Sequence, residues 1–189
     1  MRGTAANRWA RWTAATLALT LCVPVSVGRA GAAELEEYHA KAVFLYKFAA
    51  FVEWPPEAQK RSCDAVNVCI LGQSPFEQTL GAMVRNKQVD GRGFAVRQIA
   101  DAKQAAGCHM LFVTGQGLKR YRSLRSELAA STGLLVVGES EGFASTEGGV
   151  INFKLIDGRL RIEINVAEAK REKLVINSRL LGMADLVGR

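Results

Sequence analysis

From Ala42 to Trp54 the chain reads AVFLYKFAAFVEW, a stretch of helical length in which only Lys47 and Glu53 carry charge, closed by Pro55-Pro56. Phe44, Phe48 and Val52 fall on one stripe at spacing four, and Leu45 and Ala49 widen it. Val43, Tyr46, Ala50 and Phe51 leave almost no polar face, and such a helix must be covered on all sides. Two coverings satisfy that demand: the rest of the fold, or a second subunit or partner seated on Phe44, Phe48, Phe51 and Trp54.

Downstream, short apolar runs alternate with amphipathic patterns. Val66 to Leu71, Phe94 to Ile99, Met110 to Thr114 and Leu134 to Val137 read as strands; Pro75 to Arg85 and Leu118 to Ala130 read as helices between them. That alternation predicts an α/β fold with a mainly parallel sheet and helices on both faces. The pattern then changes. Val150 to Ile156 and Arg159 to Asn165 flank Asp157-Gly158, a strong signal for a C-terminal antiparallel β-hairpin. With a two-residue turn, Ile151, Phe153, Leu155, Leu160, Ile162 and Ile164 face the core, while Asn152, Lys154, Arg159, Arg161, Glu163 and Asn165 face away. Lys154 then stands opposite Arg161, a like-charge pair that Glu163, on the diagonal, can relieve. The polar row is either a solvated face or a recognition surface beside the following helix.

The first residues set the compartment. Arg2, Arg8 and Arg11 precede an uncharged, mostly apolar run, Thr13 to Val27, and Gly31-Ala32-Ala33 supplies small residues for cleavage. This predicts a cleaved secretory signal at 1–33 and a single exported domain at 34–189. The competing uncleaved anchor is disfavoured, because the run falls short of the roughly 20 residues a span needs. A lipoprotein is disfavoured too, since Leu21 precedes Cys22. Removing that segment lowers the formal charge from +7 to about +3, too small a surplus for nucleic-acid binding.

Three cysteines then remain, Cys63, Cys69 and Cys108. Cys69 lies in VNVCILG and Cys108 opens HMLFVT, two segments that read as neighbouring strands, so Cys69–Cys108 is the expected disulfide and Cys63 the free thiol. Closing that loop of about 40 residues adds on the order of 3 to 4 kcal/mol in the chain-entropy model. A metal site using His109 is disfavoured: adjacent strand residues point to opposite faces and no second His is near. Gly138-Glu139-Ser140-Glu141-Gly142 matches the G-x-S-x-G of a nucleophile elbow. Its base should follow the Ser in the chain, yet both histidines, His39 and His109, precede it. Gly72 after the first strand lacks the spacing of a dinucleotide loop. No catalytic residue, cofactor or metal ligand is therefore assigned.

The order KAVFLYKFAAFVEWP, CILGQSPFEQTL, CHMLFV and LLVVGESEGFASTEGGVINFKLIDGRLRIEINVAEAKREKLVINSRLL resembles the YfiR family of small periplasmic proteins, from about Lys41 to Leu181. The resemblance implies a dimeric Rossmann-like repressor that acts on the periplasmic part of an inner-membrane diguanylate cyclase, and an outer-membrane lipoprotein that can sequester it. It also implies that Cys69 and Cys108 match a family disulfide, whereas Ser145 and Asn152 stand where a second bridge would be. For a small-molecule site it implies Glu163, Arg171 and Thr146, with Asn177 replacing a His and Glu53 replacing an Arg. A carboxylate and guanidinium there are also readable as a plain surface ion pair. A periplasmic ligand-binding or accessory module for a sensor kinase or transporter is the other functional class these residues allow, and an enzyme the third.

Overall fold

The computed structural model describes residues 28–129 and 132–188. The elements run α1 (Gly28–Phe51), β1 (Val52–Glu53), α2 (Pro56–Gln59), β2 (Ala65–Leu71), α3 (Phe76–Val84), β3 (Gly93–Ile99), α4 (Ala102–Ala105), β4 (Met110–Val113), α5 (Leu118–Leu128) and β5 (Leu135–Gly138). They continue with β6 (Ile151–Ile156), β7 (Arg159–Asn165), α6 (Val166–Arg171), β8 (Val175–Ile176), α7 (Ser178–Leu181) and β9 (Asp185–Val187). Seven strands form one sheet in the order β3-β2-β4-β5-β6-β7-β9. The pairs from β3 to β6 are parallel, β6 and β7 form the antiparallel hairpin, and β9 adds parallel to β7. The signal segment expected at 1–33 lies mostly outside the described residues; its last residues form the start of α1.

The period of two along each strand divides the core. Val68, Ile70, Met110, Phe112, Leu135 and Val137 share one buried cluster with Leu45 and Phe48 of α1 and Phe76 and Leu80 of α3. Cys69, Leu71, Leu111, Val113 and Val136 face the other way, against Tyr121, Leu124 and Leu128 of α5 and the loop residue Phe143. Helices therefore cover both faces, as alternation predicts. Phe112 is the pivot of the first cluster, its ring 4.4 Å from Phe76 and 6.3 Å from Phe153.

The apolar first helix is covered by its own fold. Phe48 is fully buried and stacks on Phe153 at 5.8 Å. Trp54 is buried as well, its indole N–H donating to the His109 carbonyl at 3.2 Å. Neither side chain leaves surface for a second subunit, which corrects the interface reading at those two positions; Phe44 and Phe51 remain half-buried. The helix also stops earlier than its composition suggests. Val52 is β-branched and Trp54 precedes Pro55, both of which favour extended backbone, and Val52–Glu53 pair with Val175–Ile176 instead.

Cys69 and Cys108 form the disulfide, with Cα atoms 6.0 Å apart, and Cys63 is free and exposed. The link is possible because β2 and β4 are neighbours, with Cys69 opposite Leu111. Non-reducing mass spectrometry of exported protein should find one peptide joining Cys69 to Cys108, and thiol labelling should mark Cys63 alone. A Cys63-containing bridge would contradict this fold.

Candidate functional site

The hairpin has the expected two-residue turn: Ile156 pairs with Arg159, and Asp157 and Gly158 both take positive φ (49° and 70°). Lys154 lies opposite Arg161 and forms its ion pair diagonally with Glu163. The polar row is not a solvated face throughout. At its inner end Asn152 (0 % exposed), Glu163 and Asn165 are buried, and Asn165 is tied to the loop between β5 and β6. Asn165 donates to the Ala144 carbonyl at 2.6 Å, whereas neither amide atom of Asn152 nor Oε1 of Glu163 has a hydrogen-bond partner. The core row also changes along the hairpin. Leu155 is 58 % exposed and borders an open groove between the hairpin tip and Ala33–Ala40 of α1.

The four residues of the expected small-molecule site are each engaged locally. Glu163 holds Lys154, while Arg171 holds Glu168, its neighbour at spacing three. Thr146 donates its hydroxyl to the Gly142 carbonyl at 2.8 Å, and Asn177 caps α7 by accepting from the Arg179 N–H at 2.9 Å. Glu163 and Arg171 therefore do not pair with each other. None of the four lines the cavity of about 610 Å³ beside β6, whose walls are Glu139 to Gly142, Ser145 and Asn152 to Ile156.

The Gly-Glu-Ser-Glu-Gly turn supplies one wall of that cavity. Gly138 is dictated by packing, as a Cβ there would sit 2.3 Å from the Phe143 ring. Glu139 accepts from the Gly115 N–H at 2.9 Å and from the Lys41 ammonium at 2.6 Å. Lys41 is itself buried and also pairs with Glu37 one turn back on α1. Burial opposes its charge, but the hydrogen bonds and charges of Glu139 and Glu37 outweigh that and raise its pKa above 10.5. Sequence reasoning missed Lys41. Its only local signal was Glu37 at spacing four; Glu139 lies in a distant loop.

His109 is buried at the other end of β4. Its Nδ1 accepts from the Asn67 N–H at 3.0 Å, so the neutral ring carries its proton on Nε2, which has no partner. Desolvation first, then the charges of Arg92 and Arg61, lower its pKa to about 4. Ser140 has no such base beside it, and among the described residues no group of three or more His, Cys, Asp or Glu is placed to hold a metal ion.

The sequence profile of the family described as YfiR/HmsC-like matches residues 38–185. This chain belongs to that family. The YfiR/HmsC-like match takes in the sheet from β2 to β7, the Cys69–Cys108 bridge and the loop that walls the cavity, and ends at the first residue of β9. No curated protein matches the chain. Among solved structures it is similar to a "conserved domain protein" of Vibrio cholerae O1 biovar El Tor str. N16961, at 7 % identity and a TM-score of 0.47. That alignment covers 68 % of this chain and spans 56 % of the other protein's length.

Proposed function

We propose that this YfiR/HmsC-like chain is a periplasmic regulatory binding protein that represses an inner-membrane diguanylate cyclase and so controls cyclic di-GMP and biofilm formation. The family match over residues 38–185 carries the reading. The positively charged, apolar start of the chain supports export, and a disulfide between Cys69 and Cys108 suits an oxidising compartment. Among the described residues no helix is long and apolar enough to cross a membrane. On this reading the partners are the cyclase's periplasmic region, a second copy of this chain in a homodimer, and an outer-membrane lipoprotein that withdraws the repressor.

Deleting the gene should raise cellular cyclic di-GMP, and export-competent protein from a plasmid should lower it again. Protein lacking residues 1–33 should not complement, because the partner surface lies outside the cytoplasm. Unchanged cyclic di-GMP in the deletion strain, with the cyclase expressed, would overturn the reading.

A further inference from the structure

The sheet has a notch where β5 stops and β6 continues. β5 is paired to β6 only through Val137 with Ile151 and Gly138 with Asn152; beyond them Phe153, Lys154, Leu155 and Ile156 are paired to β7 alone. The two-residue turn makes Ile156 and Arg159 a hydrogen-bonded pair, so Lys154 and Arg161 are one too, and the backbone groups of Leu155 point the other way. They point toward the cavity. Its lining includes five consecutive residues, Asn152 to Ile156. Successive strand residues face opposite sides of a sheet, so a wall containing both parities runs along the edge of β6 rather than over one face.

The opposite wall is held open. Phe143, fully buried, packs against Tyr121 at 5.1 Å and fills the space over Gly138 and Gly149, which turns the chain away from β6. Lys41 and the Gly115 N–H fix Glu139 at the start of that loop, and Thr146 closes its turn onto Gly142. The gap is therefore built into the fold, with an unpaired strand edge on one side, a pinned loop on the other, and the buried, partnerless Asn152 amide at its inner end.

We propose that this notch binds a short extended segment of a partner protein as an added β-strand along Phe153–Ile156. Only another extended backbone matches a row of strand N–H and C=O groups, and exposed strand edges pair with one unless blocked. The side chains around the notch state what the segment carries. Lys154 balances Glu163, whereas Lys41 is shared between Glu139 and Glu37, and Glu141 has no ion pair among the described residues; the loop side of the notch is therefore acidic, and a Lys or Arg of the segment lies against Glu141. The exposed side chain of Leu155 takes an apolar residue on one face of the added strand, with Ile156 exposed on the other face, and the Asn152 amide takes a backbone or side-chain amide. As the mode by which a regulator grips its partner, the proposal rests on the functional reading above; as a peptide site, it stands on the sheet edge alone.

The test uses the exported protein, residues 34–189, and a phage-displayed library of random linear peptides of about nine residues. Selected peptides should be enriched in one basic and one apolar residue and should protect the Leu155 amide from hydrogen exchange. Leu155→Pro removes the N–H on the notch side, a position where an edge strand tolerates proline, and should weaken binding roughly tenfold, the loss of one or two backbone hydrogen bonds. Glu141→Lys, a surface change that keeps the fold, should select against the same basic peptides. No selected peptide, or binding that leaves Leu155 exchanging freely, overturns the proposal. Protection of Leu155 that grows with protein concentration in the absence of peptide assigns the notch to a second copy and overturns the partner segment. In cells, Leu155→Pro protein that has lost peptide binding but still lowers cyclic di-GMP overturns the notch as the docking site and leaves the regulator standing. A deletion strain with unchanged cyclic di-GMP removes the regulator and leaves the peptide site to the binding data.

Discussion

Lys41→Ala should destabilise the protein by about 3 to 5 kcal/mol, the range expected when one partner is removed from a buried ion pair. The Lys41 side chain is 5 % exposed and that of Glu139 11 %, so deletion of the ammonium leaves a mostly covered carboxylate, open to water only on its cavity side. The loss is more than one contact, because Lys41 also lies 4.7 Å from the Tyr38 ring centre and ties α1 to the loop after β5. Charge removal on both sides separates these effects. In Lys41→Met with Glu139→Gln, the amide oxygen can still accept from the Gly115 N–H, and most of the stability should return. Urea unfolding of the parent, Lys41→Met, Glu139→Gln and the double variant gives the coupling in a double-mutant cycle; a cost below about 1 kcal/mol for Lys41→Ala would show that the pair behaves as a surface one. The pKa adds a sign. A lysine whose folded pKa is raised contributes stability that is complete below 10.5 and is lost as pH rises through the folded value.

The contrast between Lys41 and Cys69 shows where sequence pattern stops. Cys69 and Cys108 each sit in or beside an apolar run, strand alternation implies neighbouring strands, and so their pairing follows from order along the chain. Lys41 meets Glu139 across 98 residues, and nothing in the spacing marks that meeting. The hairpin is an intermediate case. Its turn, its register and the diagonal Lys154–Glu163 contact are legible because Asp157-Gly158 fixes them. A period of two says which side chains share a face but not what covers that face, so the burial of Asn152 and Glu163 and the exposure of Leu155 are invisible to it. The same limit applies to the expected ligand residues. Glu163 and Arg171 lie eight positions apart, near enough to invite a pair, yet Lys154 and Glu168 lie closer in the folded chain and take them. The strands β1, β8 and β9 have only two or three residues, too few to show any period.

Acidification should remove about 3 kcal/mol of stability between pH 6.5 and pH 4, through His109. Its ordinary pKa of 6.5 is lowered in the fold to about 4, by desolvation and then by Arg92 and Arg61. In that window the unfolded chain binds the proton and the folded chain does not, so stability is complete above pH 6.5 and falls with pH until the folded ring also titrates. At about 1.4 kcal/mol per unit, the gap between 6.5 and 4 sets the size, and for a domain of this length it corresponds to a melting point roughly 10 °C lower. Carboxylates titrate in the same range, so the diagnostic quantity is the difference between the parent and His109→Asn. Asparagine keeps an acceptor for the Asn67 N–H, which His109 now satisfies through Nδ1, but does not titrate. Its stability should depend less steeply on pH, with the two curves converging toward pH 4. Parallel curves from pH 7 to pH 4 would show that the buried ring does not take up its proton on unfolding. The consequence reaches the covalent frame, since His109 follows Cys108 and its carbonyl accepts from both Trp54 and the Leu135 N–H. Charging the ring therefore strains the point where the segment after β1, β4 and β5 meet.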